Sequence, residues 1–91
     1  MKRRYRPGFI KALKKADVRI RKSFKQKIVI FNQNPHSPEL NNHPLKREYL
    51  GYRSIDITAN WRAVYKETQE GKEVIAYFAL LGTHDQLYRK S

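Results

Sequence analysis

A chain of 91 residues without cysteine is long enough for one modest hydrophobic core, too short for a second, and excludes disulfide and thiol chemistry. Its 20 Lys and Arg against 8 Asp and Glu give a formal charge of +12, and residues 1–38 hold twelve basic side chains with Asp17 as the sole acid. Such a surface attracts polyanions, either nucleic acid or an anionic membrane face, and charge alone does not choose between them. No apolar run approaches the ~20 residues needed to span a bilayer, and no signal-like apolar block follows the basic N-terminus. The expectation is a soluble cytoplasmic protein in which residues 1–91 form a single domain.

Residues 1–6 are short, basic and compatible with an edge strand. Pro7 suits the first turn of a helix, where its missing N–H has no intrahelical partner to lose. Phe9, Ile10, Leu13 and Ala16 recur at helical spacing, and Asp17 either breaks this segment or caps the next. Ile20, Phe24, Ile28 and Phe31 then fall on one stripe of a second helix, with Arg21, Lys22 and Lys25 away from it. Asn32-Gln33-Asn34-Pro35 ends that helix, and residues 35–44, rich in proline, are expected to form a loop.

The hydrophobic period then changes. Ile55 and Ile57 alternate with Ser54, Asp56 and Thr58, so one face of this strand meets the helices and the other is free for polar work. Residues 61–68 and 74–81 read as two more strands, joined at Gln69-Glu70-Gly71-Lys72 by a hairpin turn. The fold class is therefore α+β in two layers: an N-terminal strand and a helix hairpin packed on a small antiparallel sheet.

The second half also concentrates chemistry-bearing residues: His43-Pro44-Leu45, Gly51-Tyr52-Arg53, Asn60-Trp61-Arg62-Ala63-Val64-Tyr65, and Gly82-Thr83-His84 with Tyr88 four residues later. In this order, after a helix hairpin, they resemble the RelE/ParE superfamily of bacterial toxins, with the YafQ-like and RelE/StbE-like mRNA interferases nearest in pattern. The resemblance spans nearly the whole chain. It implies a RelE-like fold and the toxin of a type II toxin–antitoxin system, a ribosome-dependent endoribonuclease that cuts mRNA. It also implies a cognate antitoxin that blocks the toxin, with operator DNA reached only through that complex. The superfamily admits two alternatives, a ParE-like gyrase poison and a catalytically degenerate module that only binds RNA or antitoxin. A basic ribosome-associated structural protein accounts for the charge but not for the clustered His, Arg and Tyr.

Metal-free RNA cleavage uses the substrate's 2′-OH as nucleophile, so a protein must supply a base, an acid for the 5′ leaving oxygen and cations for the phosphate. Arg62 has the planar fork for a pair of phosphate oxygens, against the alternative of a solvated strand arginine, and it matches the arginine of the family's Arg-x-Val-Tyr strand. His84 is placed to hold the leaving group's proton, imidazole titrating near neutrality, or else merely steadies a turn; it matches the family's C-terminal histidine and is assigned as general acid. His43, presented by an extended backbone before Pro44, matches an active-site histidine of YafQ-like enzymes. Tyr88 matches the family aromatic that stacks on a base or steadies the phosphate, against a role in the core.

Asp56 departs from the family pattern, in which YafQ-like toxins place a histidine there and other branches a lysine nearby. Its polar-face position allows it to act as a base or an orienter of His43 or His84, and equally to pair with Arg53 or Arg62. Asn60 stands where YafQ-like enzymes have aspartate, and Leu80 or Leu81 where they have arginine. Arg53, Trp61, Lys46 and Arg47 are assigned to RNA binding, although Trp61 has the alternative of bracing the core. The three histidines, His36, His43 and His84, lack ligand spacing, so neither a metal nor another cofactor is expected.

Overall fold

The computed structural model describes residues 1–88. Strand β1 (Lys2–Tyr5) leads into helices α1 (Pro7–Lys15) and α2 (Val18–Gln33). Strands β2 (His43–Pro44), β3 (Tyr52–Asp56), β4 (Trp61–Glu70) and β5 (Glu73–Thr83) follow, and then a short helix α3 (His84–Tyr88). The strands form one sheet in the order β1-β5-β4-β3-β2, in which β1 lies parallel to β5 and all other neighbours are antiparallel. The two-layer α+β architecture expected from the hydrophobic periods is the one observed, with β1 at an edge.

The local signals explain the elements. Arg6 is extended, as the residue before a proline prefers, and Pro7 opens α1. The Asp17 carboxylate accepts the Arg19 backbone N–H at 2.9 Å, which makes it the cap of α2 and sets the break between the helices. Gly71, at φ +61, takes the first position of the two-residue turn between β4 and β5, where glycine meets no Cβ penalty. Among the described residues no helix is long and apolar enough to cross a membrane.

One expectation is corrected. Residues 35–44 are not simply a loop: Pro38–Leu40 make a 3₁₀ turn that buries Leu40 completely, and His43–Pro44 pair with Arg53 and Ser54 as an edge strand. Proline is tolerated there because an edge strand need not donate its N–H to the ladder.

The helices cover one face of the sheet. Phe9, Phe24, Ile28 and Phe31 from the helices meet Ile55, Ile57, Ala63, Tyr65, Ala76 and Phe78 from the sheet. The aromatic rings interlock, with centroids 5.4 Å apart for Phe9–Phe24, 5.6 Å for Phe9–Phe78 and 5.1 Å for Phe31–Tyr65. Phe9 is fully buried at the centre of this cluster, so Phe9→Ala is expected to lower stability by about 3–5 kcal/mol through lost transfer energy and a residual cavity. Urea unfolding of the two proteins measures it.

Side-chain alternation sends the intervening residues to the opposite face, where Ser54, Asp56, Arg62 and Val64 lie beneath or beside α3. Near that end of the sheet Val64 pairs with Leu80 while Tyr65 pairs with Phe78, leaving Ala79 as an extra residue of β5. Such a bulge increases the local twist and redirects the end of the strand, here the segment that carries Gly82, Thr83 and His84.

Candidate active site

The turn from β5 into α3 is built by three consecutive residues. A Cβ on Gly82 would stand 3.0 Å from Gln86 Oε1 and 3.3 Å from a Leu87 methyl, so any larger residue there would push the Gln86 and Leu87 side chains outward where the helix folds back over the strand. Thr83 Oγ1 accepts the Gln86 N–H at 3.1 Å while Gln86 Oε1 accepts the Thr83 N–H at 2.9 Å, a reciprocal capping box. His84 then occupies the first helical position, with its own N–H donated to the Asn60 carbonyl at 2.8 Å. Its imidazole is exposed, meets the Tyr88 ring edge-to-face at 4.9 Å, and has the Asp85 carboxylate 3.8 Å from Nδ1.

Tyr88 is anchored from below. Its hydroxyl donates to Ser54 Oγ at 2.9 Å, and Ser54 is fully buried. Burial pushes the Tyr88 hydroxyl above the usual phenol range, against the opposing pull of the Ser54 bond and the Arg62 charge. The phenol therefore remains protonated at neutral pH, with its oxygen turned into the protein.

Arg62 is largely sequestered, with 15% of its side chain exposed. Its Nη1 donates to the carbonyls of Thr58, Ala59 and Trp61 at 2.9, 3.2 and 3.1 Å, and its Nε lies 3.0 Å from Asp56 Oδ1. Only Nη2 is left without a partner among the described residues. The expectation of a two-armed fork open to a phosphate is corrected accordingly: the fold leaves one arm, because the loop carbonyls of 58–61 take the other.

Asp56, for which a proton-handling role and a salt bridge were both open, forms the salt bridge. The Nε–H of Arg62 is not aimed squarely at Oδ1, so this buried oxygen has an ionic partner but no hydrogen-bond donor among the described residues. The other oxygen accepts from Asn41 Nδ2 at 3.3 Å.

His43 Nδ1 lies 2.8 Å from the Asn41 carbonyl. A carbonyl only accepts, so Nδ1 carries hydrogen, and in the neutral ring the lone pair is then on Nε2. Asn41 holds this arrangement through a left-handed backbone, φ +47, which asparagine tolerates better than most residues.

These side chains converge. His43, Arg62, His84 and Tyr88 line one cleft of about 390 Å³ together with Asn41 and Leu45. Asp56 lies behind Arg62 rather than in the lining. Arg53, on the helix side of β3, donates to Asn42 Oδ1 at 2.8 Å, and Asn42 in turn donates to the Tyr65 hydroxyl at 2.7 Å. Trp61 packs against the main core, the bracing role that its alternation with Ala63 and Tyr65 implies. Lys46 and Arg47 line a smaller neighbouring cleft, and His36 is exposed. Among the described residues no three of His, Asp and Glu gather where they could hold a metal ion.

The site also uses residues that the motif reading did not single out. Ser54 stands two positions from Asp56 on the same face, and Thr83-x-x-Gln86 is a capping signature, so both were readable. Asn41 had only its neighbouring Asn42 as a hint, and Tyr49, whose hydroxyl donates to the Leu87 carbonyl at 2.9 Å, had none.

A larger cleft, of about 510 Å³, lies away from this chemistry along the helix hairpin. Ile10, Leu13, Phe24 and Ile28 form its floor, with Lys22 and Lys25 among the basic side chains at its edge. Its apolar floor offers no acid, base or nucleophile, so the smaller polar cleft is the candidate active site.

The fold and cleft define a small basic α+β domain with an imidazole–guanidinium site at one end of its sheet. Neither a protein-family model nor a curated protein sequence matches the chain. Solved structures do. YafQ from Escherichia coli BL21(DE3) is similar at 26% identity over 94% of this chain and 96% of that one, with a TM-score of 0.76. A YoeB/ParE toxin from Agrobacterium tumefaciens is similar at 24% identity over 92% and 99%, TM-score 0.73. The E. coli DinJ–YafQ complex gives 26% identity over 94% and 96%, TM-score 0.65. The chain belongs to the RelE/YafQ-like superfamily of toxins from type II toxin–antitoxin systems.

Proposed function

We propose that this toxin is a ribosome-dependent endoribonuclease that cuts mRNA in the cytoplasm by attack of the substrate's own 2′-OH. The observation that carries the reading is the shared cleft of His43, Arg62 and His84. His43, with its lone pair on Nε2, takes the proton of the 2′-OH. Arg62 Nη2 donates to a non-bridging phosphate oxygen, where charge grows as the pentacoordinate phosphorus forms. His84 gives a proton to the departing 5′-oxygen, and the Tyr88 ring supports it. Asp56 positions Arg62 from behind and neutralises part of its charge. With Leu80 or Leu81 in place of the arginine carried by the YafQ-like pattern, transition-state stabilisation rests on few cations, which favours a modest rate.

Primer extension on cellular mRNA after induction tests the proposal. Cuts within translated codons are the expected result. DNA damage without such cuts would instead establish a ParE-like gyrase poison, and neither outcome would leave a module that only binds.

The cognate antitoxin is the expected partner, as DinJ is for YafQ in the E. coli complex. An acidic segment that folds into an amphipathic helix on binding complements the apolar groove and its basic edge. Operator DNA is then reached through the complex. Leu13→Glu, which puts a carboxylate on the groove floor, is expected to weaken antitoxin binding at least tenfold in calorimetry while leaving mRNA cleavage intact.

A further inference from the structure

Beside the cleft of His84 lies a second one of about 140 Å³, lined by Lys46, Arg47, Glu48, Tyr49 and Tyr88. Tyr88 belongs to both clefts and forms the wall between them. On the far side its ring meets Tyr49 edge-to-face, centroids 5.9 Å apart. The Tyr49 hydroxyl is fixed on the Leu87 carbonyl, so this second ring is held by the same short helix that carries His84. Arg47 takes a left-handed backbone, φ +59, that residues other than glycine seldom adopt. The turn it makes keeps Lys46 and Arg47 on the exposed rim, where neither has an ion pair among the described residues.

We infer that this second cleft binds the nucleotide immediately downstream of the cut phosphodiester, its base against Tyr49 and its 3′-phosphate at Lys46 and Arg47. The inference rests on the nuclease reading, which fixes the polarity. His84 protonates the 5′-oxygen of the downstream nucleotide, and Tyr88, in contact with His84, separates that oxygen from the second cleft. The upstream nucleotide, which owns the attacking 2′-OH, lies toward His43. A half-buried aromatic with cations at the rim suits a single-stranded nucleotide of any base, because stacking is sequence-tolerant. Glu48 at the same rim repels a phosphate, which leaves Lys46 and Arg47 with one net positive charge between the three.

A 2′-O-methyl dinucleotide with a 3′-phosphate has a blocked nucleophile and one internal phosphodiester, so its register is defined. Titration followed by NMR compares it with two analogues, one lacking the downstream base and one lacking the upstream base. Loss of the downstream base is expected to weaken binding about tenfold, and loss of the upstream base much less. Tyr49→Leu should erase that difference, whereas Tyr49→Phe, which keeps the ring, should preserve it even if the loss of its hydroxyl loosens α3. Removing the 3′-phosphate should weaken binding to the wild type but not to the double variant K46Q/R47Q. If the dinucleotide shifts His84 and Arg62 signals yet the downstream base makes no difference, the subsite is refuted and the nuclease reading stands. If it shifts neither, the subsite is refuted, while the nuclease reading, which concerns mRNA on the ribosome, is decided by the primer-extension result.

Discussion

His84→Gln is expected to lower cleavage of ribosome-bound mRNA by 10²–10⁴-fold and to relieve growth arrest, with little change in folding. Glutamine can hydrogen-bond but cannot deliver a proton to the departing 5′-oxygen, so the leaving alkoxide must depart uncatalysed. The fold tolerates the change because residue 84 is held through its backbone N–H on the Asn60 carbonyl and through the Thr83–Gln86 capping box, none of which uses the imidazole. The exposed ring contributes one edge-to-face contact, to Tyr88. Single-turnover cleavage and thermal unfolding, measured side by side, check the two halves of the expectation. A variant that remains fully toxic moves the acid elsewhere.

The second large effect separates His43 from Asp56. His43→Gln is expected to lose 10²–10⁴-fold, because the Asn41 carbonyl fixes hydrogen on Nδ1 and so reserves Nε2 for accepting a proton. Asp56→Asn is expected to stay within about tenfold of wild type, since an amide oxygen still orients Arg62 and the buried carboxylate oxygen beside Arg62 is closed to substrate. The pH profile supplies an independent readout. Wild-type single-turnover rates should rise and then fall with pH, as a base and an acid are both required, and His43→Gln should lose the rising limb. A collapse of rate in Asp56→Asn with His43→Gln near normal would give the base role to Asp56.

The fold was legible where one physical signal dominated. Pro7, Asp17 and the Ile20–Phe31 stripe specify the helices by capping and period. The alternation around Ile55 and the glycine turn at Gly71 specify the meander. What escaped was the pairing of His43–Pro44, because two extended residues on an edge carry no period and depend on β3 for their partners. At the site, the residue types of His43, Arg62, His84 and Tyr88 pointed to phosphoryl chemistry, and the cleft gathers them. Their hydrogen-bond partners could not be read. The capture of Arg62 Nη1 by three carbonyls depends on the path of residues 58–61. The fixing of His43 depends on a left-handed Asn41, which propensity permits but does not demand. Arg53, an RNA-binding candidate beside Gly51-Tyr52, is turned by the strand's alternation, already visible at Ile55, toward Asn42 and Tyr65.

The chemistry of the cut ends tests most directly whether these groups act on one phosphodiester through the substrate's own hydroxyl. Ribosome-bound mRNA is cleaved with the purified toxin, and the termini are identified by mass spectrometry. Attack by the 2′-OH predicts an upstream fragment ending in a 2′,3′-cyclic phosphate or the 3′-phosphate derived from it, and a downstream fragment with a free 5′-hydroxyl. An upstream 3′-hydroxyl with a downstream 5′-phosphate would contradict it.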